Sequence, residues 1–157
     1  MPKTTPWLWF DTQAEEAAEF YVSVFPNSKI TDTTRYGPGG PRPAGSVMTV
    51  SFSLDGQDYV GLNGGPEYRF SEAISFQILC QDQAEVDAYW AALSDGGEEG
   101  PCGWLKDRYG LSWQVVPAAL GEVLGDPDPD RSRRATQAMM EMKKIDIAEL
   151  QKAANES

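Results

Sequence analysis

TQAEEAAEFYVSVF (12–25) and DQAEVDAYWAAL (82–93) are two versions of one programme. Each follows a short apolar run, WLWF (7–10) and ISFQIL (74–79), and the aromatic pair Phe20-Tyr21 of the first returns as Tyr89-Trp90 in the second. Thr12 with Glu15, and Asp82 with Glu85, have the spacing of a capping box, in which each side chain satisfies a free backbone N–H at a helix start. Ala17, Phe20, Tyr21 and Val24, then Val86, Tyr89, Trp90 and Leu93, recur at helical spacing and predict one apolar face per helix. A strand followed by a helix, written twice, is the feature that decides the architecture.

The flanking segments complete each copy. Lys29–Tyr36 and Ser46–Leu54 alternate as strands, Asp55-Gly56 is a hairpin signal, and Asp58–Asn63 returns. GPGGPRPAG (37–45) is a loop, since its glycines and prolines propagate neither helix nor strand. GGPEYRFSEA (64–73) links the copies. In the second copy Ile74–Cys80 is a strand, and two or three short strands follow across Glu98–Val116 with a turn at Asp107–Gly110. The predicted fold class is α+β. Tandem βαβββ modules at 1–66 and 67–118 form curled half-barrel sheets, and 119–157 is a helical C-terminal extension, all within one compact domain. In that extension Leu120–Leu124 is a short helix, and Asp128-Pro129 starts a second. Ala135, Ala138, Met139, Met142 and Ile145 form an apolar stripe, and Asp146 with Glu149 is a third capping box. The stripe needs a surface, on this chain or on a second subunit. Arg131, Arg133, Arg134, Lys143 and Lys144 read as a solvated basic face.

Composition excludes several functions. Thirteen basic residues against 24 acidic ones leave a net charge of −11, a field that repels nucleic acid and anionic membrane. No apolar run approaches the roughly 18 residues that span a bilayer, and the chain opens without a secretory pattern, so a cytoplasmic location is expected. The absence of histidine removes Ser-His-Asp and Cys-His catalysis and the commonest transition-metal ligand. Cys80 and Cys102 lack CxxC spacing, so a reduced pair is expected, with Cys80 in the core and Cys102 in a Pro-Cys-Gly loop. Lys106 is the cation near Cys102 that could activate its thiol.

Strand alternation picks out the candidate site. It puts Ser75 and Gln77 on one face against Ile74, Phe76 and Ile78, and Ser112 and Gln114 on one face against Trp113 and Val115. The apolar faces should pack on helices, and the polar faces should line a cavity. Ser75, Gln77 and Gln114, joined by Asn63, are the predicted anchors, unless they serve only to satisfy one another inside a packed core. Phe10, Trp104 and Tyr109 are candidate walls, with Trp7 and Trp9 assigned to the first helix. Asp107, Asp11 and Glu67 are the acid–base candidates, Asp107 doubling as a turn former.

LWF (8–10), AEEAAEFY (14–21), LNGGP (62–66), SF (75–76), CGW (102–104), SWQVVP (112–117) and MKKIDIAEL (142–150) resemble the PhnB-like branch of the vicinal-oxygen-chelate superfamily. This is the glyoxalase, bleomycin-resistance and dioxygenase fold, and members of the branch often carry a 3-demethylubiquinone-9 3-methyltransferase label. In the superfamily, groups on the first and last strand of each module hold a divalent ion. The resemblance places those positions at Pro6, Ser75, Leu62 or Asn63, and Gln114. No histidine or glutamate stands at any of them, so neither metal nor other cofactor is expected. The label finds no support in a Gly-rich strand-to-helix turn of the kind that holds a nucleotide-type donor. The expectation is a metal-free protein, a homodimer, that binds a small-molecule ligand through Phe10, Asn63, Ser75, Gln77, Trp104 and Gln114. The alternatives are an enzyme of the same fold, whether lyase, isomerase, dioxygenase or methyltransferase, and a dimeric interaction protein.

Overall fold

Each apolar run does become a strand leading into a helix. The structure, a computed structural model, describes residues 2–156. It divides between Phe70 and Ser71 into two units, each with its own core.

In the first unit β1 (Trp7–Phe10) leads to α1 (Ala14–Val24), then β2 (Lys29–Arg35), β3 (Val47–Leu54) and β4 (Gln57–Asn63). The sheet order is β1-β4-β3-β2, with β1 parallel to β4 and the others antiparallel. Asp55 and Gly56 turn β3 into β4 with φ of 47° and 92°, the left-handed pair that a two-residue hairpin requires. Ala14, Ala17, Ala18 and Tyr21 are the buried face of α1. Three alanines let the helix approach closely, and Tyr21 closes over Phe52 at a ring separation of 6.0 Å.

The start of α1 departs from the capping-box expectation. The helix begins at Ala14 and no side chain of its own caps it. The Ala14 N–H instead donates to Asn63 Oδ1 at 2.8 Å, from the end of β4. A tertiary acceptor thus replaces Thr12, because β4 delivers an amide oxygen to the free helix donors.

The face assignments within β1 are reversed as well. Leu8 and Phe10 are buried, 6% and 3% exposed, on the side that carries α1. Trp7 and Trp9 take the other side, Trp7 largely exposed. Gly61 makes the first arrangement possible: a β-carbon there would stand 3.2 Å from Ala14 Cβ and 3.4 Å from the Phe10 ring. Trp9 is held by donating Nε1–H to Gly65 O at 2.9 Å and by edge contact with Tyr68.

In the second unit β5 (Ser75–Cys80) leads to α2 (Gln83–Ser94), then β6 (Glu98–Glu99), β7 (Trp104–Lys106) and β8 (Ser112–Pro117). The order β5-β8-β7-β6 repeats the first sheet strand for strand. Asp82 caps α2 by accepting from the Glu85 N–H at 2.9 Å, as its spacing predicts. Val86, Trp90 and Leu93 are buried over the sheet.

Three helices follow: α3 (Ala118–Leu124), α4 (Pro129–Met140) and α5 (Ile147–Asn155). Their apolar stripe packs on its own unit. Leu120, Ile145 and Leu150 form a buried cluster, with Met139, Met142, Leu124 and Val116 against it. Gln83 of α2 clamps the tail with both ends of its amide, donating to Ile145 O at 3.0 Å and accepting from Ile147 N–H at 2.8 Å. Cys102 and Gly103 donate their N–H groups to Met142 O and Lys143 O, both at 2.8 Å. Part of the basic face is structural: Arg131 and Arg134 both donate to Ala154 O, closing the carbonyl end of α5 where cations are favoured.

Candidate functional site

The pairing register of the second sheet sorts its side chains by face. Ser75 stands beside Ser112 and Gln77 beside Gln114 across β5 and β8, and Trp104 and Lys106 stand beside Gln114 and Ser112 across β7 and β8. Two polar rows therefore cross the sheet, Ser75–Ser112–Lys106 and Gln77–Gln114–Trp104. Phe76, Ile78, Trp113 and Val115 alternate to the opposite face, where α2 lies.

The two rows differ in hydrogen bonding. Gln114 donates Nε2–H to Ser75 Oγ at 2.8 Å, so part of the set is self-satisfied. Gln77 is exposed. Ser112 is 1% exposed, and its Oγ has no hydrogen-bond partner among the described residues. A buried hydroxyl without a partner is uncommon, because desolvation is then uncompensated. The Lys106 ammonium pairs with the Glu72 carboxylate, which holds Glu72 below and Lys106 above their ordinary values through a direct hydrogen bond.

Ser112, Lys106, Glu72, Glu98, Trp104 and Cys102 line a cleft of about 370 Å³ within the second unit. That volume lies at the small end of the range for ligand pockets. Its position follows from the chain. β7 is only three residues long, and the segment before it folds back at Pro101–Gly103, with Cys102 and Gly103 at φ of 58° and 85°. A β-carbon at Gly103 would stand 3.0 Å from Val115 O and 3.1 Å from Ile145 Cγ1, so glycine lets this turn press against β8 and the tail.

Of the six predicted site residues the structure places four, Ser75, Gln77, Trp104 and Gln114, on the open face of the second sheet, and of these Trp104 alone lines the cleft. Phe10 and Asn63 belong to the first unit. Phe10 stacks edge-on with Phe70 at 5.3 Å inside the core and presents almost no surface for a ligand. Asn63 is 6% exposed, and its amide is committed to the fold: Oδ1 caps α1 and Nδ2 donates to Val47 O at 3.1 Å. Lys106, Glu72 and Glu98 were not singled out as site residues by the sequence reading. Alternation from Trp104 would have put Lys106 on the same face, but nothing local connects Glu72 to it.

The remaining candidates have structural places. Asp107 is 2% exposed and accepts from the Tyr109 and Leu111 N–H groups and from Trp113 Nε1, so it builds the turn into β8. Asp11 lies 4.0 Å from Arg42 at the surface, and Glu67 is exposed. Cys80 is buried at the end of β5, and burial pushes its thiol up to about 11. Cys102 is half-buried at the cleft, its Sγ 3.9 Å from Met140 Sδ.

At the strand positions where the resemblance puts the ion, Ser75 and Gln114 are neutral and Gln114 turns an N–H toward Ser75, so that pair does not offset the loss of a divalent ion's hydration. Among the described residues no three His, Cys, Asp or Glu side chains converge. A nucleotide-type methyl donor finds no Gly-rich turn at a helix start either. Residues 37–45 join β2 to β3, and Gly64-Gly65 follow β4.

Comparison with known proteins places this geometry. The model of the family described as 3-demethylubiquinone-9 3-methyltransferase matches residues 2–116, which leaves α3–α5 and the 142–150 stretch outside the match. Among solved structures, a Bacillus cereus PhnB protein, provisionally described as a 3-demethylubiquinone-9 3-methyltransferase, is 32% identical over 74% of this chain and 100% of its own, with a TM-score of 0.67. A Pseudomonas aeruginosa protein is 20% identical over 74% of this chain and 98% of its own, at a TM-score of 0.61. The genomically encoded fosfomycin resistance protein of Listeria monocytogenes shares the fold at 15% identity, 75% and 93% coverage and a TM-score of 0.51. No curated protein matches.

Proposed function

The chain belongs to the family described as 3-demethylubiquinone-9 3-methyltransferase, the PhnB-like branch of the glyoxalase/bleomycin-resistance fold, and from that premise we propose that it is a metal-free small-molecule binding protein. Its site is the open face of the second sheet. The observation that carries the reading is the cleft of about 370 Å³ whose floor holds a buried, unpartnered Ser112 hydroxyl beside the half-buried ring of Trp104. A mostly apolar concavity with a few placed polar groups is the usual makeup of a small-molecule site. The proposal excludes methyl transfer, since among the described residues no Gly-rich turn opens a helix to hold a nucleotide-type donor. A homodimer is part of it: Leu79, on the same face of β5 as Ser75 and Gln77, is 60% exposed, where a second copy would cover it.

The test is amide and indole NMR of the full chain titrated with a panel of aromatic fragments. Binding should move the Trp104, Lys106, Ser112 and Gln114 signals, and Trp104→Ala should abolish those shifts. Shifts confined to other surfaces would refute the site. Added Mn, Ni, Zn or Fe should leave the unfolding midpoint unchanged, and a clear rise would refute the metal-free reading. Light scattering that gives the mass of one chain would refute the dimer.

A further inference from the structure

The cleft is lined by charged side chains as well as by Ser112 and Trp104. Glu72, Glu98 and Glu99 all line it, with Lys106 the one ammonium on the lining. Lys106 is already engaged by Glu72, and Glu98 stands opposite it across β6 and β7. Glu99 accepts from Trp90 Nε1 at 2.6 Å, a contact that uses an oxygen lone pair and leaves the charge in place. Glu99 stands opposite Leu105 and so turns with Trp90 to the α2 side, which leaves Glu72 and Glu98 with Lys106 on the open face, on a chain whose net charge is −11. Such a lining repels anions and concentrates cations.

Exposed carboxylates alone attract only screened counter-ions. The second feature is the Ser112 hydroxyl, 1% exposed, without a partner, and placed by its pairing with Lys106 on the cleft face of β8. A ligand group reaching it would remove the desolvation deficit of that oxygen. The third is Trp104, on the same face two residues before Lys106, whose indole can attract a cation through the ring face. Carboxylates, a waiting hydroxyl and an indole make one recognisable combination.

Resting on the reading of this cleft as a small-molecule site, we propose that its ligand is an organic cation: a protonated amine or amidine on an apolar or aromatic body. The positive group lies by Glu98 and Glu72, the body lies along Trp104, and a polar atom of the body meets Ser112 Oγ. A phosphorylated or carboxylated metabolite is the ligand class this charge distribution rejects.

Three matched probes separate charge from shape: 2-naphthylmethylamine, 2-naphthylmethanol and 2-naphthoate, titrated into the full chain by NMR with calorimetry. The amine should bind about tenfold tighter than the alcohol at low salt, with the carboxylate weakest, and the ratio should shrink as salt is raised. Glu98→Gln should cut the amine-to-alcohol ratio by about threefold. Ser112→Ala should weaken ring-hydroxylated forms of the amine and the alcohol together and preserve their ratio. Circular dichroism of each variant checks folding, and the probe ratio within a variant is independent of its stability. Equal affinities for the three probes at the cleft, or an unchanged ratio in Glu98→Gln, would overturn the inference and leave the cleft as a binding site. Absence of any probe-induced shift at the cleft would overturn both.

Discussion

Replacing Asn63 with alanine removes two hydrogen bonds that tie the first unit together. Oδ1 accepts from Ala14 N–H at 2.8 Å and so satisfies a free donor at the start of α1, while Nδ2 donates to Val47 O at 3.1 Å and binds the end of β4 to the start of β3. At 6% exposure water does not take their place without opening the structure. Loss of a helix cap costs about 0.5–2 kcal/mol, and a buried group left without its partner costs about 1–3 kcal/mol. The two overlap at Ala14, so the expected loss for Asn63→Ala is about 2–4 kcal/mol. For a chain of this size that lowers the melting temperature by roughly 5–15 °C. Urea unfolding followed by circular dichroism and tryptophan fluorescence measures it directly. Asn63→Asp separates the two bonds. It keeps an acceptor where the helix N-terminus favours negative charge, loses the donor to Val47, and should fall between wild type and Asn63→Ala. An anchor held free for a ligand would behave differently, with affinity lost and stability kept. A loss below about 0.5 kcal/mol, the ordinary range of a surface substitution, would refute the capping argument.

Other outcomes follow from the same contacts. Gln83→Ala breaks the clamp on the tail and should cost about 1–3 kcal/mol, with faster amide exchange across α5 as the readout. Ile145→Ala, at a fully buried position, should cost about 2–5 kcal/mol in the same unfolding assay. A thiol reagent at mildly alkaline pH should label Cys102 in the native protein and reach Cys80 only after unfolding, since Cys80 is buried with its thiol pushed up to about 11. The Glu72–Lys106 pair sets a pH signature. Lys106 holds the Glu72 carboxyl below its ordinary 4.5, so the pair's stabilisation is present above that value and fades as pH falls through the lowered one. Lys106 is raised above 10.5, so its side of the linkage is full below 10.5 and fades as pH rises through the raised value. In Lys106→Met the acid-side slope of melting temperature against pH should shrink by the amount Glu72 contributed.

The fold was legible because its signals are local and repeated. Asp82 caps α2, Asp146 caps α5 by accepting from Glu149 N–H at 3.1 Å, and Asp55-Gly56 makes the hairpin, each where its spacing indicates. Thr12 failed as a cap by the same logic that made it plausible. A side chain 49 residues away reached the helix start, and no window of the sequence contains both partners. The polar face of β5 and β8 was legible from alternation, and Gln114 does bond Ser75 across the parallel pair. Phe10 was misread because WLWF is apolar at every position, so alternation carries no information about which pair faces the helix. Gly61, on the neighbouring strand, decides that question by giving Phe10 and Ala14 room to meet.

The sequence by itself determined the duplicated strand–helix–three-strand order, the capping and turn chemistry of most elements, the acidity, and the absence of a charged side chain at the strand positions that the resemblance assigns to a metal. These depend on residue types and on spacings of a few positions, which the backbone reads locally. Only the tertiary structure decided that Asn63 serves the helix, that the methionine stripe covers its own unit, and that Ser112 is left without a partner beside Glu72, Glu98 and Lys106. Each of these joins groups from different elements, and whether a polar atom is satisfied depends on everything packed around it.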